Sequence, residues 1–137
     1  EFIHLPSVGT IIVDDHLIKG GAVPEGALKN MEFVRHRADL SIPAFQKHWR
    51  EIHGPMAAAI PVIERYVQSH VRGSAYDSGI SPAYDGVAIT WFRNIGEMRV
   101  SAESPEYRSI REDELNFLSP GTLPFIITRE ESIISKA

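Results

Sequence analysis

Two short stretches of this chain hold side chains able to move protons. Phe45-Gln46-Lys47-His48-Trp49-Arg50-Glu51-Ile52-His53-Gly54-Pro55 sets two imidazoles and an indole on one segment. Arg65-Tyr66-Val67-Gln68-Ser69-His70 follows with a phenol, a carboxamide and another imidazole. Imidazole titrates near neutrality, so a histidine in a dry pocket can take a proton and return it. His53, His70 and Tyr66 are therefore the candidate acid–base groups. On a helix turning about 100° per residue, Phe45, Trp49 and Ile52 fall in one stripe with Ile42 beside them, and this stripe is predicted to be buried. His53 leans inward at the stripe's edge in the last turn, and His48 flanks the opposite edge. Ser41 is placed as N-cap with Pro43 in the first turn, and Gly54-Pro55 ends or kinks the helix. The helix dipole favours a charged His53 and burial disfavours it, so its charge state stays open at this point.

Other chemistries find little support. His48 and His53 are five residues apart, about 140° around an ideal helix, and do not converge on one metal ion. There is no HExxH pattern, Gly20-Gly21 lacks phosphate-loop spacing, and no dinucleotide fingerprint occurs. Neither metal nor cofactor is expected. The absence of cysteine removes thiolate chemistry and suits a reducing, cytoplasmic setting. A net charge of −4 with interspersed signs argues against nucleic acid and an anionic membrane surface. The apolar run from Met56 to Ile63 is broken by Pro61 and is far shorter than the roughly 20 residues that span a bilayer. A small hydrophobic molecule is the expected ligand.

The elements that must position these groups read as strand 28–37, helix 42–53, strand 63–72, a loop over 73–82, strand 87–92, a helical region 95–118 interrupted at Ser104-Pro105, and strand 124–134. This is the β-α-β-β-α-β order of the split βαβ plan, an α+β fold with two helices on one face of an antiparallel sheet. The economical cover for the other face is a second copy of the chain, so a homodimer is expected. Alternation on the second strand puts Ile63, Val67 and Val71 with Arg65 and Ser69 on one side, the side expected to pack under helices. Glu64, Tyr66, Gln68, His70 and Arg72 share the other, the expected cavity side, joined by Ile89 and Trp91. His53 then meets Tyr66 and His70 only if its helix end reaches past the sheet rim. Phe33, His36, Trp49, Gln68, Ile89 and Trp91 are the candidate substrate-binding residues. The plainer reading of an inward histidine is a hydrogen-bonded core group, and of a strand tyrosine, packing with a satisfied hydroxyl.

The string from His48 to Pro55, then Arg65 to His70, then Asp85-Gly86-Val87-Ala88 leading to Trp91-Phe92, and Ser104-Pro105-Glu106, resembles the EthD family from about Leu28 to Ile134. The resemblance implies a ferredoxin-like βαββαβ chain forming a dimeric α+β barrel, with a small-molecule cavity in each subunit. It also implies oxidative degradation pathways, or polyketide and lactone chemistry such as dehydration, decarboxylation and isomerisation. Where many members carry a glutamate two residues before the third-strand tryptophan, this chain has Ile89. Two function classes follow. One is a histidine acid–base enzyme acting without metal or nucleotide on a hydrophobic cyclic, aromatic or polyketide-like substrate, by one of those reactions or a cofactor-free oxidation. The other is a non-catalytic binding or accessory protein of an oxidative degradation pathway, which Ile89 in place of an acid favours. Related ferredoxin-like dimers host haem, but no residue here stands out as an axial ligand.

Residues 1–26 form an extension before a family-like domain at 27–137. Thr10 to Ile18 resembles Phe125 to Ile134 in its paired isoleucines, acidic pair and closing apolar pair. It is predicted to form an additional strand at a sheet edge or across the dimer, with Gly20 to Gly26 as linker. The alternative is the last strand of a preceding repeat, the chain being the second half of a longer protein.

Overall fold

The computed structural model describes residues 11–134. The elements are β1 Val13–Lys19, β2 Leu28–Val34, α1 Ile42–His48, a π turn Trp49–His53, α2 Gly54–Ala58, β3 Ile63–Val71, α3 Gly73–Asp77, β4 Gly86–Phe92, α4 Ile95–Glu103, α5 Pro105–Glu114 and β5 Phe125–Arg129. All strand pairs are antiparallel in the order β1-β3-β4-β2-β5. From β2 onward this is the ferredoxin-like arrangement. Among the described residues no helix is long and apolar enough to cross a membrane.

The extra strand is present. β1 runs antiparallel to β3 from Val13↔Val71 to Leu17↔Val67, then bulges to pair Lys19 with Tyr66. Thr10 lies outside the described residues. β1 and β5, despite their similar sequences, occupy opposite edges of the sheet. β5 stops at Arg129 rather than at residue 134 because its last partner, Leu28, is the first residue of β2. β2 likewise ends at Val34, where the chain turns aside so that the His36 N–H donates to Asp85 Oδ2 at 2.7 Å.

The helix signals act as their chemistry dictates. Ser41 Oγ accepts from Ala44 N–H, Asn94 Oδ1 from Glu97 N–H and Ser104 Oγ from Tyr107 N–H, each satisfying a donor that helix geometry leaves free. Ser104-Pro105 thus starts a new helix, with proline at a position whose N–H needs no partner.

Two expectations are corrected here. Of the two alternatives at Gly54-Pro55, the helix does not end there: it is distorted into the π turn and continues to Ala58. In an unbroken α-helix the Pro55 ring would collide with the carbonyl four residues earlier. The wider turn relieves this, with Gly54 N–H donating to the Trp49 carbonyl five residues back. A π turn also rotates less per residue. Ile52 therefore lags onto the solvent side at 51% exposure, and His53 takes the inward place below Trp49 at 6%.

The second correction concerns the sheet faces. Tyr66, Gln68 and His70 lie beneath the helices, and Val67 lies on the opposite face with Ala27, Ile89 and Trp91. Ile63 joins Tyr66 only because a bulge follows it. Polar side chains can occupy the helix-packed face because each finds a partner there. Gln68 Nε2 donates to the Trp49 carbonyl at 2.8 Å and to Tyr66 Oη at 3.0 Å, while its Oε1 accepts from His70 Nε2 at 2.9 Å. The His70 ring stacks on Trp49 at 4.3 Å and meets His16 edge-on at 4.8 Å.

Trp49 lies against Gly86, where a Cβ would come 2.6 Å from the indole Cζ3 and would also strike the Ser69 carbonyl oxygen. Gly86→Ala should destabilise the fold by about 1–3 kcal/mol in urea unfolding, the scale of an overpacked core; a loss below about 0.5 kcal/mol would show that Trp49 is not seated there.

Burial, with His16 and Arg50 adding to it, pushes His70 down to about 4 from 6.5. Below pH 6.5 the unfolded chain therefore binds a proton that the folded chain refuses, and stability falls as pH drops from 6.5 towards 4. This contribution is on the order of 2–3 kcal/mol. His70→Gln should flatten that part of the urea-midpoint profile, and an unchanged slope would assign the acid sensitivity elsewhere.

Candidate active site

A cavity of about 240 Å³ opens between the sheet and the helices. Its floor comes from β2, β3, β4 and β5 through Asn30, Tyr66, Thr90 and Ile127, and its roof from the π turn, α2, α4 and α5 through His53, Ala57, Met98 and Ile110. Most of the lining is apolar, and the few polar groups are set at fixed places, the usual constitution of a small-molecule site.

His53 is the cavity's imidazole. Its Nδ1 lies 3.0 Å from Asp113 Oδ2 on α5. The same carboxylate faces His48 Nε2 at 3.0 Å and accepts from Asn116 Nδ2 at 3.1 Å. An ionised carboxylate only accepts, so each ring carries its proton on the nitrogen facing Asp113, and the neutral His53 ring keeps a lone pair on Nε2. Phe117 packs on both imidazoles, at 4.8 Å in each case. Burial holds the His53 pKa below its ordinary value, with Asp113 pulling the other way. Asp113 sits low for a carboxylic acid: burial opposes ionisation, but the hydrogen bonds from Asn116, His48 and His53 outweigh it.

This convergence corrects the helical-wheel argument for the two histidines. The 140° separation assumed α geometry; across the π turn, side chains five apart come to one side, and both reach Asp113. The shared partner is a carboxylate.

Tyr66 forms the second polar group. It is fully buried, accepts from Gln68, and burial pushes its pKa up to about 12, so the hydroxyl keeps its proton. At the wall, Arg111 lies between Glu114 at 2.9 Å and Glu32 at 3.1 Å, and its Nε donates to Tyr107 Oη at 2.8 Å. Desolvation raises the Glu114 pKa despite Arg111.

Of the candidate residues, His53 and Tyr66 share the cavity, and the others do not line it. His70 and Gln68 belong to the buried network under Trp49, and Trp49 is itself enclosed at 1% exposure. His36 pairs with Asp85 at 2.6 Å, and Tyr76 donates to the second oxygen of that carboxylate. Phe33 packs on Tyr84 on the helix-free face. Ile89 and Trp91 lie on that face too, where the Trp91 indole donates to Glu130 Oε1 at 2.8 Å. The departure at Ile89 therefore does not remove an acid from this cavity. Asp113, Arg111, Glu114, Glu32, Asn30 and Thr90 were not anticipated. Asp113 left a trace in the sequence, as an ionisable residue between Ile110 and Phe117 on an otherwise apolar helical stripe.

The EthD domain model matches residues 37–121, which carry the π turn, Tyr66 and Asp113. No curated protein matches the chain. Among solved structures, an EthD family protein from Bacillus halodurans is similar at 16% identity and TM-score 0.61, over 76% of this chain and 98% of its own. A dimeric ferredoxin-like protein of unknown function from Thermobifida fusca is similar at 12% identity and TM-score 0.62, over 82% and 98%. An EthD-like protein from Ralstonia eutropha aligns at 15% identity and TM-score 0.55, over 82% and 97%. These likenesses carry the fold, and the domain match over most of the chain carries the family: the protein belongs to the EthD domain family.

Proposed function

We propose that the chain is a small-molecule enzyme in which His53 performs acid–base chemistry, without metal or nucleotide, on a hydrophobic cyclic, aromatic or polyketide-like substrate. One observation carries this reading. A buried imidazole is anchored through Nδ1 on Asp113 and borders a mostly apolar cavity, with its other nitrogen free of partners among the described residues. The depressed pKa keeps the ring neutral at pH 7, with a lone pair available to take a proton. Once protonated, the ring is compensated by the Asp113 carboxylate, and the proton can be returned at a second atom. Tyr66 accepts from Gln68 and so keeps its own hydroxyl proton for a substrate oxygen. Dehydration, isomerisation and decarboxylation each need such a relay, as does a cofactor-free oxidation that begins with proton removal.

The family-like unit, residues 27–137, acts as one of two copies, with the N-terminal extension supplying β1. The helix-free sheet face supports this, since Leu17, Met31, Phe33, Ile89 and Trp91 would otherwise leave apolar surface in water.

Screening unsaturated lactones and β-hydroxy ketones should identify the turnover to follow. His53→Ala should then lower kcat by about 10²–10⁴-fold while leaving the affinity for a substrate analogue within about threefold. A change confined to affinity would instead support the binding or accessory role. Asp113→Asn removes the group that raises the His53 pKa, so the acid limb of the kcat profile should move to lower pH as kcat falls. A limb that stays in place would detach Asp113 from the chemistry. Sedimentation equilibrium should report a dimer that Ile89→Asp converts to a folded monomer, and a monomeric wild-type chain would remove the second copy.

A further inference from the structure

The cavity floor is a row of side chains, one per strand. Tyr66 on β3 is opposite Thr90 on β4, Thr90 is opposite Asn30 on β2, and Asn30 is opposite Ile127 on β5. All four line the cavity. Neighbouring strands lie about 4.8 Å apart, so phenol, hydroxyl and carboxamide are spread over roughly 10 Å across the sheet. That span suits a bicyclic ring, or one ring with its substituents.

The members of the row differ in one respect. Tyr66 already accepts from Gln68, whereas Asn30 Oδ1 is buried and has no hydrogen-bond partner among the described residues. A buried amide oxygen left without a donor is destabilising, and a ligand that supplies the donor recovers the loss. Two residues along β2 on the same face stands Glu32, which shares Arg111 with Glu114. One guanidinium thus serves two carboxyl groups on the cavity wall, and a ligand carboxylate there would meet negative charge that Arg111 cannot fully offset.

We propose that Asn30 selects the substrate. Its amide oxygen accepts from a hydroxyl or N–H on an uncharged, otherwise apolar ring lying across the strands between Tyr66 and Asn30, and the Glu32–Arg111–Glu114 group disfavours carboxylates, which sets decarboxylation aside in favour of dehydration, isomerisation or oxidation of a neutral substrate. The inference rests on this cavity being the substrate site, but it is read by binding alone, independently of whether His53 is a base.

The test uses three probes of one shape, 2-naphthol, 2-methylnaphthalene and 2-naphthoate, titrated into the full chain and followed by NMR. Wild-type protein should bind 2-naphthol about tenfold more tightly than 2-methylnaphthalene, the value of one net hydrogen bond, with 2-naphthoate weakest. The Asn30 side-chain amide resonances should shift with 2-naphthol and not with 2-methylnaphthalene, a measurement that needs no variant. In Asn30→Leu the two neutral probes should bind within about twofold of each other, with affinity for 2-methylnaphthalene retained as proof of an intact cavity. Equal binding of the neutral probes to wild type, no binding of 2-naphthol, or a preference surviving in Asn30→Leu would each overturn the proposal. A preference that persists in His53→Ala while turnover is unaffected by that substitution would keep the role of Asn30 and discard the acid–base reading.

Discussion

The carbonyl of Trp49 accepts two hydrogen bonds, one from Gly54 N–H inside the π turn and one from the Gln68 side chain on β3. That double acceptance fixes the first helix on the sheet. It requires the backbone at residue 54 to approach the sheet closely: a Cβ there would lie 3.1 Å from both Gln68 Nε2 and Ile18 Cγ2. It also requires the helix to widen, which Pro55 favours by excluding ordinary α geometry. The widened turn then sends His53 inward and Ile52 outward. π turns are often found where a function needs a side chain displaced from helical phase, and here the displaced residue is the cavity imidazole.

The protein buries histidines for two different ends. His70 is enclosed by packing groups: Gln68 Oε1 accepts a hydrogen bond from its Nε2, Trp49 covers one face and His16 meets it edge-on. Such a ring contributes to packing and keeps its neutral form well below neutral pH. His53 borders the cavity instead. Asp113 engages Nδ1 and Phe117 packs on the ring, while the remaining nitrogen has no partner among the described residues. Both rings are almost fully buried and each has one hydrogen-bonded nitrogen, so the difference between a structural and a chemical histidine in this fold lies in the partner and the surroundings: a neutral amide beneath Trp49 for His70, a carboxylate beside the cavity for His53.

The same accounting separates the two acidic clusters. Asp85 and Asp113 each gather several donors, but Asp85 ties the end of β2 and Tyr76 to the start of β4, whereas Asp113 holds an imidazole against a cavity. Identical chemistry at the pair level, an imidazole on a carboxylate, has different consequences because only one of the pairs borders enclosed apolar space.

Apart from the short helix α3, which lies where a loop is expected, the elements and their order could be read from the chain because they depend on local properties. Periodicity marked the strands, Ser41, Asn94 and Ser104 could each cap a helix through a side-chain oxygen, and the paired isoleucines before residue 20 announced an extra strand that does pair with β3. The motif from His48 to Pro55 likewise pointed to the family and to His53. Which sheet face the helices cover was not written in that pattern. A period of two separates Tyr66, Gln68 and His70 from Val67 and Val71 but says nothing about which set is enclosed. Polarity misleads when the partners that satisfy it, the Trp49 carbonyl among them, come from a distant segment. For the same reason the pattern groups Ile89 and Trp91 with Tyr66 and His70, although they lie on opposite faces, and it gives no sign that Asp113, sixty positions beyond His53, is that histidine's partner. Local spacing decides the elements; burial and hydrogen-bond satisfaction, which exist only after the segments pack together, decide which histidine can act.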